Sequence, residues 1–387
     1  MPENPPLQQN GDRFAGSLQK ADETLRLEYI TCPLCNSSDT SVIQTSKDNL
    51  CGIPGVFKVE RCNNCLHRFM NPRPVPECLG ACYPDHYGPH QSVPKASSAT
   101  VSKNDAAHKP NLPESDAVGR PLYLRILPLR YVPGLRRLYN WLMDDRSQPV
   151  LLAPGWISTD SVRPTAPQDF IQPRALEIGC ATGQYLVRMQ EAGWKATGIE
   201  PGVRPAGTAR DAGLDVYCGM LETCQMPPES FELAAAWMVI EHVPDPRDTL
   251  QRLYSLLKPG GILIFSIPNA GCWEAGFFGR HWYVLELPRH LHHFTTASIR
   301  KLLGECGFED IAITHQRNLS NVVGSLALVI LAGSPGSRLG KWLLRYPDHP
   351  TFAMKLFLAP LAHLVAWIHQ GGRLTISARR PVAGRLP

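Results

Sequence analysis

The run RALEIGCATGQYLVRMQEAGWKATGIE, residues 174–200, decides the fold. Ala175, Leu176 and Ile178 make a short apolar strand around Glu177; it ends at Gly179, and Gly183 closes the turn that follows. Leu186, Val187 and Gln190 then recur at helical spacing over 184–192, and Gly193 stands where a helix takes its left-handed C-terminal residue. Lys195–Ile199 reads as a second strand with Glu200 at its carboxyl end. Strand, glycine turn, helix and strand form a βαβ unit, with a right-handed crossover and a crevice at the carboxyl ends of the strands.

The spacing selects the ligand class. Glycine is needed where backbone approaches a ligand or takes positive φ, and an acid ending the second strand can accept hydrogen bonds from both ribose hydroxyls. The unit therefore reads as a nucleoside site. A dinucleotide site would carry GxGxxG, giving a pyrophosphate a helix N-terminus. Here Glu177 stands two residues ahead of Gly179; an acid there repels a pyrophosphate and suits a ligand bearing an ammonium group. An ordinary nicotinamide-type Rossmann unit is the alternative. The pattern ExGxxxG resembles motif I of the class I S-adenosylmethionine-dependent methyltransferases, with Thr182 where most relatives have glycine.

The other strands come in the order such a fold requires. Leu214–Cys218 is the third and Phe231–Trp237, a buried run FELAAAW, the fourth. A helix starting near Asp245–Arg247 carries Leu250, Leu253, Leu256 and Leu257 on one face and stops at Pro259, Gly260 and Gly261, before a fifth strand at Ile262–Ile267. Strands six and seven are Ile311–Thr314 and Leu374–Ala378. WMVIEHV, LKPGG and ILIFSIPN resemble later segments of the same family. The expected class is α/β: a Rossmann-like seven-stranded methyltransferase sheet, last strand antiparallel, with an N-terminal zinc ribbon and a helical insertion before the last strand.

The ribbon rests on Cys32, Cys35, Cys62 and Cys65, two CxxC knuckles whose thiolates can converge on one tetrahedral ion. Val42–Ile43 and Val56–Glu60 are the strand candidates between them. Four protein ligands leave no open position, so the zinc is structural; two unrelated thiol pairs, or His67 as an alternative ligand, are the competing readings. Cys51, Cys78 and Cys82 read as packing residues. Residues 61–87, with RCxxC, FMNPRP and YPxxY, resemble the N-terminal zinc-binding region of bacterial methyltransferases found among sugar- and glycan-modifying enzymes. That resemblance implies an acceptor-positioning role and makes Tyr83, His86 and Tyr87 acceptor-site candidates, against simple packing of the ribbon.

The resemblance also implies roles by position. Glu177, Gly179, Ala181 and Gly183 line the methionine end of S-adenosylmethionine; Glu200 holds the ribose; Pro201, Met220 and Leu221 flank adenine, with Glu222 a polar partner. Trp237 and Met238 stand beside the sulfonium. Methyl transfer needs alignment first, and a base only where the nucleophile must lose a proton. His242, after the fourth strand, is the first candidate. Glu241 and His242 alone are too few to argue a divalent ion. In WYVLELPRHLHHFT, His290 and His293 are further base or acceptor-binding candidates, with loop packing and capping by Thr295 as the alternatives.

The resulting division is a polar tail (1–28), the ribbon (29–87), a Pro/Ser-rich linker (88–121), a basic, apolar helical cover segment (122–165) and the methyltransferase domain (166–387) with its insertion at 316–372. Val322–Ala332 and Phe352–Ile368 read as apolar helices of the insertion, too short or too polar to span a bilayer, so peripheral membrane association competes with a lid or dimer surface. The net charge of +5 is scattered, which excludes a nucleic-acid partner as the default. The polar start shows no signal peptide and the twelve cysteines suit metal binding in a reducing cytoplasm, at the inner membrane face if the insertion touches lipid. The expected acceptor is small or lipid-linked, plausibly a sugar or glycan intermediate, or a quinone; the other class is a non-catalytic zinc-ribbon binding protein with a nucleoside-sensing domain. The oligomeric state is open.

Overall fold

The computed structural model describes residues 25–84, 87, 141, 143–151 and 172–382. The expected linker, most of the cover segment, His86 and residues 1–24 lie outside the described residues. Thirteen strands are present among the described residues: β1 (Leu27–Glu28), β2 (Thr40–Ser46), β3 (Phe57–Cys62), β4 (Arg68–Met70), β5 (Arg73–Pro74), β6 (Arg174–Ile178), β7 (Lys195–Glu200), β8 (Asp215–Cys218), β9 (Phe231–Trp237), β10 (Leu257–Pro268), β11 (His292–His293), β12 (Glu309–His315) and β13 (Arg373–Arg379). Helices are α1 (Gln184–Glu191), α2 (Val203–Asp211), α3 (Pro246–Leu256), α4 (Trp273–Phe278), α5 (Thr296–Glu305), α6 (Ser320–Gly333), α7 (Arg338–Leu344) and α8 (Phe352–Trp367).

The main sheet has the order β12-β13-β10-β9-β6-β7-β8. β6 pairs in parallel with both β7 and β9, and β10 in parallel with β9, whereas β13 runs antiparallel to β10 and β12. This is the expected seven-stranded sheet with its last strand antiparallel. Its core joins Leu176, Phe231, Phe265 and Ile376 to Leu250 and Leu253 of α3 and Leu302 of α5, each at most 1 % exposed. Every such side chain contributes about 1.5–3 kcal/mol of burial. α1 ends at Ala192 with Gly193 at φ +94°, as the sequence suggests. Asp245 caps α3, its carboxylate accepting from the amides of Arg247 and Asp248. Thr295 caps α5 in a capping box with Ser298.

Three elements differ from expectation. β10 starts at Leu257 rather than Ile262, because the Pro-Gly-Gly run forms an irregularity inside the strand instead of ending α3. Leu27–Glu28 belongs to the folded part rather than to a tail: it pairs with β5 and is held by the Glu28–Arg73 ion pair at 2.9 Å. α7 forms inside the insertion, capped by Ser337, between the two helices that the sequence suggests.

The ribbon is not a separate unit. Its sheet runs β11-β4-β3-β2, so a strand from the loop ahead of α5 completes it, His292 pairing with Phe69 and His293 with Arg68. Arg247 Nη2 donates to the Leu34 carbonyl at 2.8 Å and Arg68 Nη1 to that of Ala270 at 2.6 Å. The strongest tie is charged: Arg289 donates to both carboxylate oxygens of Asp48 at 2.8 and 3.0 Å, both side chains fully buried.

Candidate functional site

The glycine turn after β6 is built by backbone geometry. Gly179, Ala181 and Gly183 have φ of +63°, +47° and +87°, the region L-residues with a side chain avoid. A Cβ on Gly183 would lie 2.2 Å from Leu214 Cδ1, and one on Gly179 2.5 Å from Val239 Cγ2, so both glycines are also required by contact. Glu200 fixes the turn from the next strand: its Oε2 accepts from the Ala181 amide and its Oε1 from the Gly202 amide, each at 2.8 Å. Each oxygen retains a lone pair for a ligand hydroxyl. Glu177 is 4 % exposed, and its Oε2 is buried without a hydrogen-bond partner. Burial, reinforced by the charge of Glu200, pushes its pKa well above the carboxylate range. A buried carboxyl oxygen without a partner costs free energy unless a cation meets it, so this set of acceptors suits a ligand with one ammonium and a ribose.

Met238, the residue after β9, has φ +56°, a strained position of the kind that gathers at functional sites. Trp237 packs edge-on to Tyr185, ring centroids 4.8 Å apart, and its buried Nε1 has no partner. Met220 is 38 % exposed, whereas Leu221 is buried in the main core. Pro201 is exposed.

Next to β9 the chain assembles a second cluster. The Glu241 carbonyl accepts from the amides of Leu291 and His292, which draws the histidine loop onto the end of β9. Glu241, His242 and His290 then bring a carboxylate oxygen and two ring nitrogens within 4.8 Å of one another. His290 Nδ1 donates to the Val284 carbonyl at 2.8 Å and its Nε2 lies 2.7 Å from Glu286 Oε2. Nδ1 is therefore engaged as a donor, and Nε2 sits at ion-pairing distance from the carboxylate. Burial alone would lower the pKa of His290, but Glu286 more than offsets it and raises it; reciprocally, burial acting on Glu286 is outweighed by His290 and Arg289, which hold it at about 2. The two groups thus favour each other's charged forms.

His242 lies 4.6 Å from the His290 ring, edge to face. Its Nδ1 is 3.1 Å from the Arg289 carbonyl and 2.9 Å from Tyr83 Oη. A carbonyl partner places the proton on Nδ1 and leaves the lone pair on Nε2. Burial and the charge of His290 push His242 down to about 3, so it is neutral. Glu241 is fully buried with neither carboxylate oxygen hydrogen-bonded, and burial raises it to about 7, only partly opposed by His290. Tyr83 thus joins the cluster from the ribbon end, with Tyr87 edge-on at 5.2 Å. His293 is drawn into the ribbon sheet, its ring 6.5 Å from that of His290. Glu286 was not foreseen; its only sequence signal is an acid four residues before His290.

At the ribbon, Cys32 Sγ is 3.4 Å from Cys65 Sγ and Cys35 Sγ 3.5 Å from Cys62 Sγ, all four within 4.8 Å. Tetrahedral zinc with bonds of about 2.3 Å needs sulfurs about 3.8 Å apart, so the four thiols fit. His67 is no ligand: it is buried between Phe69, His292 and Phe294, with Nε2 3.3 Å from His292 Nδ1.

Residues 149–313 match the family model described as "Methyltransferase domain". That segment, from Pro149 to Ile313, resembles a methyltransferase domain. Over 130 residues it is 30% identical to the ubiquinone biosynthesis O-methyltransferase of Stutzerimonas stutzeri and 29% identical to that of Pseudomonas entomophila, 31% of this chain and 56% of each relative. The chain therefore spans about half the length of the curated relatives it matches. A solved S-adenosylmethionine-dependent methyltransferase from Thermotoga maritima aligns at 18% identity and a TM-score of 0.38, over 65% of this chain and 97% of that one. Within the matched segment the glycine turn lies at the carboxyl end of β6 and the Glu241–His242 pair beyond that of β9, neighbouring strands of the sheet.

Proposed function

We propose that the protein is an S-adenosylmethionine-dependent methyltransferase that methylates an oxygen or carbon of a small or lipid-linked acceptor, with sugar and glycan intermediates as the leading class. The observation that carries the reading is the buried, unpartnered carboxyl of Glu177 beside a glycine turn braced by Glu200. Glu177 would meet the ammonium of the methionine end, and the free lone pairs of Glu200 the ribose hydroxyls. When bound, S-adenosylmethionine supplies an activated methyl on a sulfonium.

The chain's own residues align the acceptor and manage its proton. His242, its ring held by the Arg289 carbonyl, positions the acceptor so that its nucleophile meets the Glu241 carboxylate directly. A histidine held near 3 is too weak a base to keep the proton, whereas a carboxyl near 7 is matched to neutral pH. Glu241 is therefore the proton's destination. The imidazolium of His290, tied to Glu286, is a fixed positive charge that favours the Glu241 carboxylate beside it. Tyr83 brings the ribbon to the acceptor side.

The local likeness to ubiquinone O-methyltransferases favours a second acceptor class, a phenolic quinone precursor. The twelve free thiols support a reducing, cytoplasmic setting. The test is transfer of a labelled methyl from S-adenosylmethionine by zinc-loaded protein to nucleotide sugars, lipid-linked glycans and catechol-type quinone precursors. Labelled sugar or glycan product supports the first reading, labelled quinone the second. A folded protein that binds no S-adenosylhomocysteine would refute both in favour of a non-catalytic binding protein.

A further inference from the structure

We propose that the helical insertion is a docking face for an anionic lipid surface, lying beside the carboxyl-end rim of the sheet. Its use in presenting a membrane-borne acceptor rests on the methyl-transfer reading; the docking itself does not.

α8 is apolar except for Lys355 and His363, a composition found in helices that are buried or that meet lipid. Only one side is buried in the protein: Ala359, Ala362 and Val365 pack inward. Phe357, Leu361, Leu364 and Ile368, spaced by four, three and four residues, form an outward stripe with Trp367, and Phe357 and Trp367 are 82% and 77% exposed. The patch continues onto α4, where Phe277 is 75% exposed; the Trp273 amide donates to Gln370 Oε1 at 2.8 Å, which holds the start of α4 against the end of α8. α4 itself begins just beyond the carboxyl end of β10. Exposed contiguous apolar surface of this kind marks an interaction site.

Length and charge choose the occupant. Sixteen helical residues cover about 24 Å, short of a bilayer's hydrocarbon core. Among the described residues no helix is long and apolar enough to cross a membrane. The helix would therefore lie in the interface, where tryptophan is favoured. Residues 316–372 carry Arg317, Arg338, Lys341, Arg345 and Lys355 against the single acid Asp348. Under the Trp367 end of α8, a pocket of about 490 Å³ is lined in part by Arg146, Arg317, His363 and His369. A second copy would bring the same positive face against itself across a two-fold axis, whereas an anionic headgroup layer complements it.

The test is vesicle flotation of the full-length, zinc-loaded protein with phosphatidylcholine alone or mixed with phosphatidylglycerol. The wild type should float with the anionic vesicles only, and lose them at high salt. Phe357→Ser with Trp367→Ser should weaken binding roughly tenfold or more by removing inserted apolar area. Lys341→Gln with Arg345→Gln should weaken it severalfold. Both variants should keep the wild-type melting temperature and S-adenosylhomocysteine affinity, because these side chains are exposed and far in sequence from the glycine turn. A wild type that stays unbound overturns the proposal, as does a serine variant that floats unchanged. A wild-type dimer that the serine pair splits would assign the face to a second copy and equally overturn it. Because flotation needs no methyl transfer, its failure leaves the enzymatic reading standing, and absence of cofactor binding leaves the lipid result standing.

Discussion

The Asp48–Arg289 pair gives the most quantitative prediction. Both side chains are fully buried, and the pair joins the ribbon to the histidine loop. Asp48 also accepts from the amides of Leu50, Cys51 and Ile53. Removing one member of a buried pair typically costs about 3–5 kcal/mol, because the other charge is left uncompensated. Asp48→Ala leaves a buried guanidinium, with Glu286 4.0 Å away as its remaining acid, and also strips three amides of their acceptor. It should fall at the upper end of that range. Arg289→Met leaves Asp48 with its three amides and should cost less. At roughly 2–4 °C per kcal/mol for a domain of this size, Asp48→Ala should lower the melting temperature by roughly 10–20 °C. The double variant Asp48→Ala/Arg289→Met should recover much of the loss, since no orphan charge remains. Denaturant unfolding of the four proteins measures the coupling. A loss under about 1 kcal/mol for Asp48→Ala, or additive losses in the double variant, would refute the reasoning.

Glu177→Gln should weaken S-adenosylhomocysteine binding by roughly tenfold or more through loss of a charge-assisted hydrogen bond, with no loss of melting temperature; unchanged affinity would remove Glu177 from the cofactor site. Burial raises Glu274 to about 7 from its ordinary 4.5, the folded state keeping a proton that the unfolded chain releases. Stability from this group is therefore full below about pH 4.5 and falls as pH rises to about 7, by on the order of 3 kcal/mol. Glu274→Gln should flatten that slope, and an unaltered pH profile would contradict it. Glu241→Gln should lower kcat by roughly a hundredfold or more with little change in cofactor affinity, and remove the rise in kcat between about pH 6 and 8; a wild-type pH profile would count against the proton role. Elemental analysis should find one zinc per chain, lost with Cys35→Ser together with ribbon stability.

The fold was legible because its signals are local. Gly179 and Gly183 announce the turn, FELAAAW marks β9 to the residue, and strands alternate with apolar-striped helices along the chain. The alternation yields the succession of strands along the chain, not their order in the sheet, and the two CxxC knuckles announce a zinc site by spacing alone. What stayed hidden depends on long-range contact. Two histidines forming β11 carry no strand pattern; they become a strand only because Phe69 and Arg68 present an open edge. His290 and His293 look equivalent in sequence, yet the pairing draws His293 into the ribbon sheet and leaves His290 against His242. Glu286 and Asp48 could not be read as partners of His290 and Arg289, because a carboxylate's role is set by what closes over it. Leu221 shows the converse: its position suggested the adenine side, and folding places it in the core.

The central claim is that the glycine turn, with Glu177 and Glu200, holds S-adenosylmethionine. Its most direct test is calorimetric titration of the zinc-loaded protein with S-adenosylhomocysteine, with NADH as the comparison ligand and Glu200→Ala as the control variant. Saturable one-to-one binding of S-adenosylhomocysteine alone, strongly weakened in Glu200→Ala, is the expected result. No binding by a folded wild type, or equal binding by the variant, would contradict it.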